Sequence, residues 1–443
     1  MKLIQTIKNI FKIEDLRARL IYTFGIILLY RLGKYITLPG IDPSQLAGLK
    51  SQTSSGIMGL LDMFSGGAFS QASIFALGIM PYISASIVVQ LLGIVFPYFQ
   101  KLQKEGESGR RKMNQYTRYL TVVILILQAP TYLLNLHAQL PSTAFILTGT
   151  FFTVSSVIIL TAGTMFVMWL GEKITDKGIG NGISLIIMIG IIARMPQSFI
   201  FEAGIRMNGA GGAIALIVEI LFLFVVVLGT ILLVQGTRRV PVQYARRIVG
   251  NKQYGGVRQY IPLKVNAAGV MPIIFAQAIM MLPIIIAGYS DSGSGFVVAF
   301  SNMYGFWYNM VTAILIIVFT YFYTAITINP VQMAEDMKKN GGFIPGIKPG
   351  RKTVEFLDTV MSRITLPGSF FLALVAILPS IAVKAGVTPQ FAQFYGGTSL
   401  LILVGVILDT LQQIESHLLM RHYDGLMKSG RIKGRAGGAV TSG

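Results

Sequence analysis

The chain has 443 residues, of which 53% are apolar and 12% charged, and its mean hydropathy is +0.65. A water-soluble protein of this length carries far more charge, so the composition defines a polytopic, all-α membrane protein. The formal net charge is +19 and there is no cysteine, which excludes disulfides, thiolate nucleophiles and Cys-based metal sites.

At the N-terminus, Ile4, Ile7, Phe11 and Leu16 recur at roughly helical spacing among Lys2, Lys8, Lys12, Arg17 and Arg19. Residues 1–19 are therefore expected as an amphipathic segment on an anionic inner leaflet. No small-residue cleavage site follows the apolar run at 20–30, so the first span is expected to be retained. Ten apolar spans are expected, at 20–38, 73–96, 118–136, 144–170, 183–201, 211–234, 265–288, 307–328, 364–384 and 396–415. Arg31 and Lys34 interrupt the first, and Arg194 the fifth.

The stretch Phe64–Gln90 is unlike a simple anchor. It opens on small residues and the adjacent Gly66 and Gly67, then becomes apolar but dotted with Ser84, Ser86 and Gln90. Buried hydroxyls and amides need partners, so half of this segment is expected to border a polar or openable space.

Orientation follows from Lys and Arg, because basic loops resist translocation. With the N-terminus inside, the cytoplasmic pieces are 1–19, 97–117, 171–182, 235–264, 329–363 and 416–443. The basic residues outside them are Arg31, Lys34, Lys50, Arg118, Arg194, Arg206 and Lys384. An even number of spans with both termini cytoplasmic satisfies this asymmetry. The opposite orientation violates it almost throughout.

Two cytoplasmic loops exceed what connection requires. Loop 235–264 carries Arg238, Arg239, Arg246, Arg247, Lys252, Arg258 and Lys264 with no acid, and interleaves Tyr244, Tyr254 and Tyr260. Loop 329–363 carries Lys338, Lys339, Lys348, Arg351, Lys352 and Arg363 against Glu335, Asp336, Glu355 and Asp358, with a tip shaped by glycines and prolines. The positive-inside bias alone accounts for part of this charge. The aromatic residues and the shaped tip favour an interaction surface, which suits an RNA backbone and an acidic protein face alike.

Ionisable residues within the spans are few. Glu219 and Asp409 are the main ones, with Glu172 and Lys173 at the end of the fourth span. Intramembrane carboxylates are functional candidates by default, but two isolated acids near helix ends are expected to be solvated or paired with another subunit. The run Gly178–Gly182 lacks a full dinucleotide fingerprint and joins two spans, so it reads as a flexible lead-in with Asn181 as a polar contact. His417 and His422 are five apart with no ligand cluster nearby. No paired carboxylates, nucleophile set or metal cluster appears, so no enzyme and no cofactor are expected.

Several long strings carry a family resemblance: MFSGGAFSQASIFALGIMPYISASI, KEGESGRRKMNQYTRY, GTMFVMWLGEKITDKGIGNGIS, PLKVNAAGVMPIIFA, FYTAITINPVQMAEDMKKNGGFIPGIKPG and YGGTSLLILVGVILDT. Over essentially its full length the chain resembles the SecY family, the channel subunits of protein-conducting translocons. The resemblance implies ten transmembrane helices in two inverted five-helix halves around a central pore, with a short re-entrant plug helix. The halves would be 20–201 and 202–415, followed by a cytoplasmic tail at 416–443.

By motif position the resemblance places Ile83, Ile87, Ile183, Ile187, Ile274 and Ile402 in a ring closing the waist. A dry ring of branched carbons excludes ions by desolvation, yet yields around a passing chain. The plug would cover about 57–70, including Ile57, Leu60, Met63, Phe64, Gly66 and Gly67. The lateral gate would be the seam between spans two and three and spans seven and eight, with Gln90 and Asn181 in or near it.

Arg238, Arg239, Arg246, Arg247, Arg258, Lys348, Arg351 and Lys352 would dock the ribosome or the SecA motor. The tip PGIKPG departs from the family's usual PGIRPG: Lys348 keeps the charge but loses the planar fork. The resemblance further implies SecE and SecG as small membrane subunits, YidC and SecDF as auxiliary partners, contact with membrane lipids, and signal sequences and preproteins as clients. The implied function is passage of unfolded preproteins across the bacterial cytoplasmic (inner) membrane, with lateral release of transmembrane segments. The competing readings are a secondary transporter with an inverted repeat, which needs midplane coupling groups, and a scaffold subunit without a pore.

Overall fold

The computed structural model describes residues 13–46, 59, 62–147, 149–209, 212–244, 247–249, 252–254, 258–277, 279–280 and 302–428. Residues 1–12 of the expected surface segment lie outside these. Its remainder is not separate from the first span, because α1 (Glu14–Gly33) is one continuous helix. No proline interrupts it, and Glu14 and Asp15 sit at its N-terminal pole, where acidic side chains stabilise a helix.

After α1 the chain turns and then forms isolated bridges at Thr37 and Ile41. The Leu38 N–H donates to the Ala72 carbonyl (2.8 Å) and the Ile74 N–H to the Ile36 carbonyl (3.0 Å). This pairing changes the second span, which is expected over 73–96 but is helical only as α2 (Met80–Val95). Residues 65–79 instead form successive turns, passing through Gly66 and Gly67 at positive φ. Non-helical backbone at membrane depth needs protein around it, and Ala68, Phe69, Ala72, Phe75 and Ala76 are all buried. At its far end α2 stops at Phe96, held extended by the proline that follows it, and α3 (Pro97–Lys104) turns away by 103°.

The third span is part of a longer helix, α4 (Glu107–Gln139), and the fourth is α5 (Thr150–Lys177). The fifth is built from α6 (Gly182–Ile192) and α7 (Met195–Asn208), which break around Arg194. Helix α8 (Gly212–Gln235) matches the sixth expected span closely. Residues 271–277 are helical within the seventh, whose end at 281–288 lies outside the described residues. Then come α9 (Phe306–Thr327), α10 (Pro330–Lys339), α11 (Arg351–Lys384), α12 (Pro389–Ala392) and α13 (Gly397–Lys428). Among the described residues, seven helical segments are long and apolar enough to cross a bilayer. Together with α1, α2 and the helical start of the seventh span they account for the ten.

The two enlarged loops fold into one body. Strand β1 (Thr237–Tyr244) pairs antiparallel with the strand Arg258–Lys264, from Thr237↔Lys264 to Gln243↔Arg258. A hairpin of β2 (Arg247–Val249) and β3 (Lys252–Tyr254) lies between them, so Arg258–Lys264 is β4. From the second loop, β5 (Gly342–Phe343) adds to the other edge of β1 at Gln243 and Tyr244. Val240, Val242 and Leu263 bury against Ala334 and Met337 of α10 and Leu357 and Met361 of α11. The alternation Val240, Val242 is a strand signal that Pro241 obscures; β1 has no β5 partner at that proline, which pairs in register with Tyr260 of β4.

Candidate functional site

Ile187 of α6 and Ile402 of α13 are buried in one hydrophobic cluster, and the half-buried Ile83 of α2 and Ile183 of α6 pack against it. The i, i+4 spacing puts Ile183 and Ile187 on one face of their helix. Ile87 and Ile274 are half-buried and are not members of that cluster. The helices supplying the cluster come from both halves of the chain, so it bridges them.

The same cluster contains Met63 and Phe64. Residues 59 and 62–64 are helical, whereas Ile57 and Leu60 lie outside the described residues. Segment 62–70 is held from several sides. The Tyr30 hydroxyl donates to the Ser65 carbonyl (3.1 Å) and Arg31 Nη1 to the Gly66 carbonyl (3.2 Å). Tyr132 of α4 donates to the Phe69 carbonyl (3.0 Å), and Ser399 of α13 to Met63 Sδ (3.4 Å). Asp62 is fully buried; its Oδ1 accepts from the Ser70 N–H at 2.8 Å, and its other oxygen pairs with Arg194. Arg31 and Arg194, which interrupt the first and fifth spans, therefore converge here. Lys34 is close by, since a Cβ on Gly67 would meet its Nζ at 2.8 Å.

Gly66 makes the closest approach of this segment to another element's backbone. Its φ is +66°, and a Cβ there would lie 2.9 Å from Gly190 Cα on α6. A branched residue is strained by both the backbone and the neighbour, which cannot yield. Gly66→Val is expected to lift the segment off α6 and to raise ion flux from liposomes holding the resting protein several-fold, by about 1 kcal/mol or more of lost closure. Flux equal to the parent's would show that this contact does not hold the segment in place.

At the expected lateral seam, the Tyr323 hydroxyl of α9 donates to Gln90 Oε1 of α2 (3.1 Å), and Gln90 Nε2 reaches Ser86 Oγ (3.4 Å). Gln90 thus joins the second span to the eighth. Asn181 has a different task. Its side chain caps α6 by accepting the Ser184 N–H (3.3 Å), and the adjacent Gly180 N–H donates to Gln413 of α13 (2.9 Å). Tyr323→Phe keeps the ring and removes the seam bond, a loss of about 0.5–1.5 kcal/mol. It is expected to let preproteins with weakened signal sequences cross about 2–10 times faster, read as protease-protected product.

A second polar cluster is one the sequence reading misses. Arg206 of α7 donates to Glu202 one turn earlier (3.2 Å) and to the Gly386 carbonyl (2.7 Å), and pairs with Glu219 of α8. Glu202 accepts from the Thr388 N–H (3.0 Å) and from its hydroxyl. Glu219 is therefore paired within the chain, not solvated or reserved for a neighbouring subunit, because α7 and α8 pack against each other and bring Arg206 to it. The i, i+4 spacing of Glu202 and Arg206 was the available signal. Asp409 is exposed, and Arg118 holds Glu172 through two bonds of 2.9 and 2.7 Å.

On the folded loops, Arg238, Arg239, Lys348, Arg351 and Lys352 are exposed, the last two sharing Glu355 at 3.4 Å. Gly346 and Gly350, both at positive φ, bracket Lys348, and the Thr353 hydroxyl caps its carbonyl at 3.1 Å. The backbones of Arg247 and Arg258 lie in β2 and β4, while their side chains and all of Arg246 lie outside the described residues.

Helical spans from both halves of the chain converge on one apolar cluster, and Met63 and Phe64, which lead into the turn segment, pack into it; this arrangement defines a helical membrane channel. The SecY family model matches residues 73–411. The protein translocase subunit SecY of Corynebacterium glutamicum is 44% identical over 438 residues, covering 94% of this chain and 98% of that relative. The Mycobacterium tuberculosis H37Rv and Streptomyces scabiei subunits of the same name are each 45% identical, over 436 and 442 residues, covering 94% of this chain in both cases and 97% and 98% of the relatives. The fold is shared with a chain described as the structure of a protein conducting channel, at TM-score 0.62 and 19% identity over 90% of this chain and 92% of that one. Canine Sec61, solved in a ribosome–channel complex from the endoplasmic reticulum, gives TM-score 0.56 at 18% identity over 90% and 92%. The chain belongs to the SecY family.

Proposed function

We propose that this chain is the protein-conducting channel of a bacterial translocase. It passes unfolded preproteins across the cytoplasmic membrane and releases transmembrane segments sideways into the bilayer. The observation that carries this reading is the packing of Met63 and Phe64 into the cluster of Ile83, Ile183, Ile187 and Ile402, with spans from both halves around it. A seal of carbon atoms blocks ions without selecting among side chains, as a pore for arbitrary sequences requires. The hydrogen bond between Gln90 and Tyr323 is a seam weak enough to part.

In this reading residues 20–201 and 202–415 are the two halves, 57–70 is the plug, and both termini are cytoplasmic. SecE and SecG complete the membrane complex, with YidC and SecDF as auxiliaries. The β1–β4 body with its tip at Lys348 receives the SecA motor or the ribosome, which supply the energy. A signal sequence shifts the closed-to-open balance by binding at the seam. The chain itself performs no catalysis.

Reconstitution with SecE, SecG and SecA tests this. ATP-dependent protease protection of a preprotein is expected. No protection, together with accumulation of a small solute, would favour the transporter alternative.

A further inference from the structure

Asp62 is the only ionisable residue in 57–70, so the plug carries a single negative charge. That charge is buried and seated against Arg194, while Arg31 bonds the adjacent Gly66 carbonyl and Lys34 lies beside Gly67. All three cations belong to α1, to the chain just after it, or to the break between α6 and α7, and none belongs to the plug. We infer that Asp62 is the gating charge of the channel and Arg194 its resting seat, so that the membrane potential acts directly on plug opening. The inference rests on the plug reading above.

A buried ion pair costs much to break when one partner leaves alone, so the pair holds the plug shut at rest. Displacement toward the outer side carries one negative charge outward while its cations stay behind, and an interior-negative potential favours that movement. A charge crossing the whole field shifts an equilibrium by about fifty-fold per 100 mV, and one crossing a third of it by about four-fold. Asp62 thereby positions the plug for both states.

The test is single-channel recording of the complex with SecE and SecG, with a signal peptide present, as a function of voltage. The parent is expected to open about four-fold more often for each 100 mV of added cytoplasm-negative potential. Asp62→Asn should leak more at rest and lose most of that dependence, whereas Asp62→Glu should retain it. The double reversal Asp62→Lys with Arg194→Asp should restore closure and invert the sign of the response. An undiminished slope in Asp62→Asn, or an unchanged sign in the double variant, overturns the inference.

A separate arm isolates the plug reading. Because the chain has no cysteine, Met63→Cys with Ser399→Cys can be cross-linked cleanly across their contact. If the cross-linked channel still opens, the plug reading itself is wrong. If cross-linking locks it shut while Asp62→Asn keeps its voltage dependence, only the gating-charge inference fails.

Discussion

Replacing Ile83, Ile187 and Ile402 together with Ser is expected to raise the resting ion conductance of the reconstituted channel at least tenfold. These residues share one apolar cluster, and their branched carbon side chains offer an ion nothing to replace its water. Each hydroxyl supplies a polar atom, and about 1.4 kcal/mol off the barrier is already a factor of ten. Ile187 and Ile402 are 6% and 8% exposed, so truncation also loosens the packing that seats Met63 and Phe64, reinforcing the leak. The same positions changed to Val keep the waist dry, at about 0.5–1.5 kcal/mol of stability each, and should leave conductance near the parent's. Ile87→Ser and Ile274→Ser, outside the cluster, should leak less than any pair taken from within it. Equal leak from all combinations would show that the barrier lies elsewhere.

Arg206→Ala is expected to be the most destabilising single substitution among those considered. It leaves Glu202 and Glu219 facing each other with side chains 0% and 10% exposed and no cation between them. Removing one partner of a buried charge network costs about 3–5 kcal/mol. It also frees the Gly386 carbonyl and, through Glu202, loosens the Thr388 anchor that ties the segment between α11 and α13 to α7. Arg206→Lys restores the charge but not the fork, so it should recover part of the loss. Thermal unfolding of the purified complex reads this as a Tm several degrees below the parent for Ala and an intermediate value for Lys. A Tm unchanged in Arg206→Ala would mean the carboxylates find other partners.

Much of this architecture was legible in the residues, because bilayer thickness sets span length and hydropathy reports it directly. Helices α8 and α9 fall within a residue of expectation at both ends. Hydropathy fails where an apolar segment is not a lipid-facing helix. Residues 73–79 are apolar because protein surrounds them, and only the turn-forming Gly66, Gly67 and Gly78 hinted that the helix starts late. Charge was misleading for a related reason. Arg31 and Arg194 counted as interruptions of spans, yet they hold Asp62 and the Gly66 carbonyl, and neither pairing is visible at separations of about 35 residues and more. The six isoleucines expected at the waist have no local signal at all; only the resemblance singled them out, and the structure gathers four of them around one apolar cluster. The β1–β4 ladder was hidden by reading a basic loop for its charge and not for its alternation.

In the proposed function a polypeptide crosses the membrane where Ile83, Ile187 and Ile402 gather. The most direct measurement places single cysteines, in a chain that otherwise has none, at Ile83, Ile187 or Ile402 and, as controls, at the exposed Ile158 and Ile214. Each is then tested for disulfide formation with a preprotein arrested midway that carries one cysteine. The account predicts cross-links at the three waist positions, shifting along the preprotein as the arrest point moves, and none at Ile158 or Ile214. Cross-links at the exposed positions with none at the waist would contradict it.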